Sequence, residues 1–197
     1  MIPELGQLAL VLALLVATVQ GVVPLVGAAR RDATLMAFAR PAAITQFALV
    51  ALAFGCLAAS FLLSDFSVAN VAQNSFSALP APYKLAASWG SHEGSLLLWA
   101  LMLGGWSCAV ALRSKNLPAP MLARVLAVMG LVAVGFLLFL LLTSNPFERL
   151  VPAAAEGRDL NPLLQDPGMV LHPPLLYMGY VGFSVAFAFS IAALLGG

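Results

Sequence analysis

The sequence predicts an all-α protein, a polytopic membrane helix bundle of about five transmembrane helices with its N-terminus outside and its C-terminus in the cytoplasm. Three observations carry that expectation. Of 197 residues, 62% are hydrophobic and only 9% charged, against roughly 25% charged in ordinary soluble domains, so a soluble fold would lack the polar surface to cover itself. Five uncharged stretches are long enough to cross ~30 Å of hydrocarbon at ~1.5 Å per residue. The connections between them alternate in charge, as loops on opposite sides of a membrane do.

No charged side chain lies between Glu4 and Arg30, between Arg40 and Asp65, between Glu93 and Arg113, between Arg124 and Glu148, or after Asp166. These intervals predict spans over 6–28, 42–64, 95–112, 122–143 and 174–196. The first span follows Glu4 rather than a basic segment and is too long for a signal-peptide core, so it is expected to stay as an anchor. Gln20, Gly21 and Pro24 interrupt it, and Gln46 enters the second span, which leaves room for discontinuous helices. The short connections 29–41 and 113–121 hold Arg30, Arg31, Arg40, Arg113 and Lys115, with Arg124 just inside the next span. By the positive-inside rule they face the cytoplasm. The long connections 65–94 and 144–173 carry Lys84, Arg149 and Arg158 against Asp65, Glu93, Glu148, Glu156, Asp159 and Asp166, and are expected outside with the N-terminus. Any chemistry should therefore be built from these two outer loops and the adjoining helix ends.

The chain reads as one membrane domain over 1–197, without internal repeats or a Gly/Ser-rich linker. A net charge of +1, with no run of Lys and Arg, sets nucleic acid aside. No HExxH, P-loop, GxGxxG or GxSxG pattern occurs, and no ionisable residue sits in the middle of a span, which weighs against transport. Cys56 and Cys108 lack metal or redox spacing, lie at different expected depths, and are read as unbridged core residues.

Both histidines, His92 and His172, fall in the outer connections within a few residues of a predicted helix start. A neutral imidazole is the commonest metal ligand and a frequent axial ligand of haem iron. In LHPPLLYMGY, Pro173 biases His172 towards an extended backbone and Pro174 suits the first turn of a helix, which would hold the ring at a fixed height. Tyr177 and Tyr180, three residues apart, share a helix face and together could wall a flat apolar ligand, although the same residue types also serve simply as an interfacial belt. His92 belongs to SWGSHEGSLLLW, in which Glu93 is adjacent, Gly90 and Gly94 allow close backbone approach, and Trp89 and Trp99 bracket the helix entry. Ser91 or Ser95 as a cap, with Glu93 in the first turn, gives that motif a structural reading beside a ligand-binding one. Arg158 lies between turn signals of the second outer loop, placed either for a carboxylate or haem propionate or for an ion pair with its acidic neighbours.

The ordered set WGSHEGSLLLW, TSNPFERL, EGRDLNPLLQDPG and HPPLLYMGYVGFSVAFAFSIA resembles the N-terminal portion of the CcmF/CycK/NrfE family of cytochrome c haem lyase subunits, over essentially the whole chain. The resemblance implies that haem delivered by the haem chaperone CcmE is attached to an apocytochrome c on the outer face of the bacterial inner membrane. CcmH/CcmI-type apocytochrome-handling proteins are implied as further partners, and haem of b type as the cofactor. It makes His172 one of two extracytoplasmic axial ligands for the transferred haem, and gives His92 no role. The family's Trp-rich WWD segment, its second outer histidine and its permanent haem ligands have no counterpart in this sequence. The chain is therefore expected to be a fragment or one piece of a split subunit, inactive alone and needing the remaining part of the haem lyase subunit. An NrfE-type assembly factor for a nitrite reductase haem, and a noncatalytic membrane scaffold, are the competing readings.

Overall fold

The computed structural model describes residues 1–196, so that Gly197 lies outside the described residues. The elements are α1 (Ile2–Arg30), α2 (Ala33–Ala37), α3 (Ala39–Leu62), α4 (Ala69–Asn74), α5 (Ala81–Gly90), α6 (His92–Arg113), α7 (Ala119–Leu142), a 3-10 turn (Pro162–Gln165) and α8 (Pro167–Leu194). Five helical segments, α1, α2 with α3, α6, α7 and α8, are long and apolar enough to cross a membrane. The chain is a helical membrane bundle.

Local chemistry sets the boundaries. Pro3 and Glu4 occupy the first turn of α1, where a missing N–H costs nothing and an acid favours the dipole. The helix ends at Arg31, whose φ of 57° turns the chain so that the Asp32 N–H donates to the Gly27 carbonyl at 2.9 Å. Asp32 then caps α2 by accepting from the Thr34 and Leu35 N–H groups. Pro41, in the first turn of α3, cannot donate to the Ala37 carbonyl, which accounts for the break between two otherwise continuous helices. Pro24 does not break α1, which runs unbroken past Gln20 and Gly21.

Between apolar helices in lipid the hydrophobic effect supplies little preference for association, so close packing and buried polar contacts decide the arrangement. Along α1, Ala9, Ala13, Ala17 and Gly21 form a buried small-residue stripe. A Cβ on Gly130 of α7 would lie 2.9 Å from the Gly21 nitrogen and 3.1 Å from the Ala17 carbonyl oxygen, so the two backbones touch there. One turn away, fully buried Gln20 donates through Nε2 to the Leu126 carbonyl at 2.8 Å and to Ser107 Oγ at 3.1 Å, joining α1, α7 and α6.

The N-terminus and both long connections meet at one end of the bundle. Arg149 reaches Glu4, Asp65 and Ser67, tying the start of α1 to both connections. The Leu150 N–H donates to the Ser67 carbonyl and the Ala69 N–H to the Glu148 carbonyl, each at 2.8 Å. The short connections meet at the opposite end, where the Arg40 guanidinium donates to the Ala111 carbonyl and, at 3.0 Å, to the Ser114 carbonyl. Cys56 and Cys108 are both free thiols.

Two segments differ from their sequence reading. Residues 65–94 contain α4, α5 and the first turn of α6 instead of an open loop. The last helix begins at Pro167, not 174, because Asp166 caps it by accepting from the Gly168 and Met169 N–H groups. Pro173 and Pro174 consequently lie inside α8, and His172 is helical rather than extended.

Candidate functional site

The first two turns of α8 carry an uncommon backbone problem. Pro173 and Pro174 have no N–H to give to the carbonyls of Met169 and Val170 four residues earlier. The Trp89 indole solves half of it, donating through Nε1 to the Val170 carbonyl at 3.2 Å. The whole 89–94 motif forms the corner that puts Trp89 there. A Cβ on Gly94 would come within 1.9 Å of the Ser88 carbonyl oxygen, so only glycine fits there, whereas one on Gly90 would meet only the tip of the Leu164 side chain, at 2.7 Å. Ser91 is the cap, accepting from the Gly94 N–H at 3.0 Å, and half-buried Glu93 sits in the first turn of α6.

His172 emerges one residue before that proline pair, exposed, with no hydrogen-bond partner among the described residues. It stands on the least covered long helix: 17% of the apolar window of α8 is buried, against 39–50% for the other four. Its neighbours on the outward surface, Leu175 and Leu176, are 65% and 50% exposed. At 3.6 residues per turn, Tyr180 lies ~80° around the helix from His172 and Tyr177 ~140° around it. The tyrosines therefore do not flank the histidine. They turn towards α6 and close on Trp99, with ring centroids 5.4 Å (Tyr177) and 5.5 Å (Tyr180) from its indole.

Trp99 also packs on Phe136 at 5.6 Å, and His92, two turns above it on α6, meets Phe139 edge-on at 6.2 Å. His92 Nδ1 lies 3.3 Å from Ser144 Oγ, and no hydrogen bond or ring contact joins it to His172. Two adjoining cavities of about 380 Å³ and 190 Å³ share Val132 and Phe136 and form an apolar groove between α6, α7 and α8. Sequence reasoning missed this groove. Its signal was present in the seven-residue spacing of His92 and Trp99 and the three-residue spacing of Phe136 and Phe139, each of which puts two rings on one helix face.

Arg158 is placed by its backbone, whose N–H donates to the Ala72 carbonyl at 2.8 Å, and its side chain is exposed. The ion pair expected within its loop is not formed among the described residues, because Glu156 turns instead to Ser77, accepting from its N–H at 3.0 Å and from its hydroxyl at 2.6 Å. Those bonds, the Ser77 side chain first, hold the Glu156 carboxyl below the usual carboxylate range.

Among the described residues no three His, Cys, Asp or Glu side chains converge on a metal site. A single free imidazole beside exposed apolar surface could give one nitrogen ligand to a metal ion whose other positions are already filled.

The cytochrome C assembly protein family profile matches residues 89–196, more than half of the chain. The chain belongs to the cytochrome C assembly protein family. The matched region of this cytochrome C assembly protein begins at Trp89 and takes in the corner, both histidines and the aromatic groove. Relatives similar over the full chain include the cytochrome c-type biogenesis proteins CcmF of Pseudomonas aeruginosa, 68% identical, and of Escherichia coli, 59% identical. The chain spans about 30% of the length of each. The cytochrome c-type biogenesis protein NrfE of Haemophilus influenzae is 46% identical over 99% of the chain, which covers 31% of it. A solved structure titled cytochrome c heme lyase CcmF superposes with a TM-score of 0.86 at 29% identity, covering 100% of this chain and 31% of that one.

Proposed function

We propose that this cytochrome C assembly protein forms part of a cytochrome c haem lyase that receives haem from a haem chaperone and presents it for covalent attachment to apocytochrome c on the extracytoplasmic face of the bacterial inner membrane. The carrying observation is His172, a free imidazole fixed at the loop-rich end of the least covered helix. Family membership supports cytochrome c maturation as the setting. Identities of 68% and 59% to relatives named CcmF, against 46% to the one named NrfE, favour the CcmF reading over the NrfE one.

In this reading His172 would hold transferred b-type haem through its iron, and the exposed leucines of α8 would lie against its apolar face. Trp89, Gly90 and Gly94 position His172 by locking the turn beneath it. Arg158, on the same end of the bundle, is available to a haem propionate. Bound haem would supply the reactive vinyl groups and the iron, and the protein would contribute orientation. The cationic short connections face the cytoplasm, which puts His172 outside. The partners are the remaining part of the lyase, the chaperone CcmE, CcmH/CcmI-type apocytochrome-handling proteins and apocytochrome c.

The test replaces His172 by Ala in the complete assembly and measures haem retained by the purified complex together with cytochrome c yield. The reading expects both to be lost while the membrane level of the protein stays normal. Normal haem retention and cytochrome yield would refute it.

A further inference from the structure

The opposite end of the bundle carries Arg30, Arg31, Arg40, Arg113, Lys115 and Arg124, with Asp32 as the only acid among them. Asp32 is committed to capping α2. Every ion pair among the described residues lies at the other end, so these six cations, set against the single carboxylate of Asp32, form no ion pair among the described residues. Between α2, the start of α3 and the α6–α7 connection the structure opens a cleft of about 340 Å³. Arg40 and Lys115 supply its charge, and Met36, Leu117 and Leu122 supply apolar walls.

We propose that this cleft binds the phosphate headgroup of an anionic phospholipid, with the upper part of an acyl chain against Met36, Leu117 and Leu122. Position and composition both support an amphiphile. The cleft lies where the second, third and fourth spans end, at the level of lipid headgroups, and cations set between helices at that level are suited to anionic lipid phosphates. Arg40 uses one N–H on the Ala111 carbonyl and another on the Ser114 carbonyl. A guanidinium has five N–H donors, so three remain, already oriented by the two bonds that fix the planar group. A soluble anion would use the charges and leave the apolar walls in water.

The experiment uses the purified protein in nanodiscs of phosphatidylcholine containing graded phosphatidylglycerol, and counts retained lipids by native mass spectrometry. Wild type is expected to retain phosphatidylglycerol over phosphatidylcholine. Lys115 is exposed and makes no side-chain hydrogen bond among the described residues, so Lys115→Gln leaves the fold intact. That variant should lower phosphatidylglycerol retention about fivefold with phosphatidylcholine unchanged. Arg40→Lys keeps the charge and should retain the preference. Equal retention of the two lipids, or an unaltered preference in Lys115→Gln, would overturn the proposal. So would displacement of the lipid by excess inorganic phosphate, which would assign the cleft to a free anion.

Discussion

Single side chains at the loop-rich end do work that their residue types did not announce. Trp89 read from the sequence as one of two aromatics at a helix entry, yet its indole N–H fills the carbonyl that Pro174 leaves unbonded, and so serves a different helix. Trp89→Phe keeps the ring and removes that bond. We expect it to cost about 1 kcal/mol of stability, read as a lower melting temperature in detergent, with a smaller loss from Trp89→Leu counting against the hydrogen bond as the cause. Glu156 is a second case. Its carboxyl sits below the usual range chiefly because Ser77 bonds the ionised form, so its tether is fully present above the ordinary carboxylate value and is lost as pH falls through the lowered one. Amide exchange at residues 75–78 should therefore accelerate at strongly acidic pH in wild type, whereas Glu156→Gln should exchange fast at neutral pH already. A wild-type profile that is flat down to the acid limit would contradict the tether.

Among the elements, the five long helices were legible because absence of charge over about 20 residues is a requirement of the bilayer itself. Their ends were less so. The reading of α8 took Pro173-Pro174 as a start signal, but Asp166 caps the helix seven residues earlier and the Trp89 corner, distant in sequence, makes interior prolines tolerable. No local rule could supply that partner. The packing of α1 on α7 was equally hidden, since Gly21 and Gly130 look alike to any other glycine in an apolar run. A methyl at Gly130 meets backbone of α1 at 2.9 Å, whereas one at Gly135 on the same helix meets nothing within 4 Å. Gly130→Ala should cost about 1–3 kcal/mol by overpacking, and Gly135→Ala should be neutral or stabilising. Equal melting temperatures for the two variants would mean that the α1–α7 approach is looser than described.

For the whole molecule, the alternating charge of the connections and the clustering of N-terminus and long connections at one end are independent observations that agree on which segments lie together. The proposed side of the membrane rests on the positive-inside rule applied to those charges. In a background with Cys56 and Cys108 replaced by alanine, a cysteine at Ala155 should react with an impermeant maleimide from the periplasm and one at Asn116 only after the inner membrane is opened. The reverse pattern would turn the proposed site inside out. Of that site, the sequence indicated His172 and, by resemblance, its chemistry, and it read Tyr177 and Tyr180 as sharing a helix face, but the partner of that face, Trp99 on α6, lies too far off in sequence for spacing to supply. The most direct test is chemical rescue. In the complete assembly, His172→Ala should lose transferred haem, and added imidazole should restore a haem spectrum with nitrogen axial ligation. Haem held by the variant without imidazole, with an unchanged spectrum, would contradict iron binding by His172.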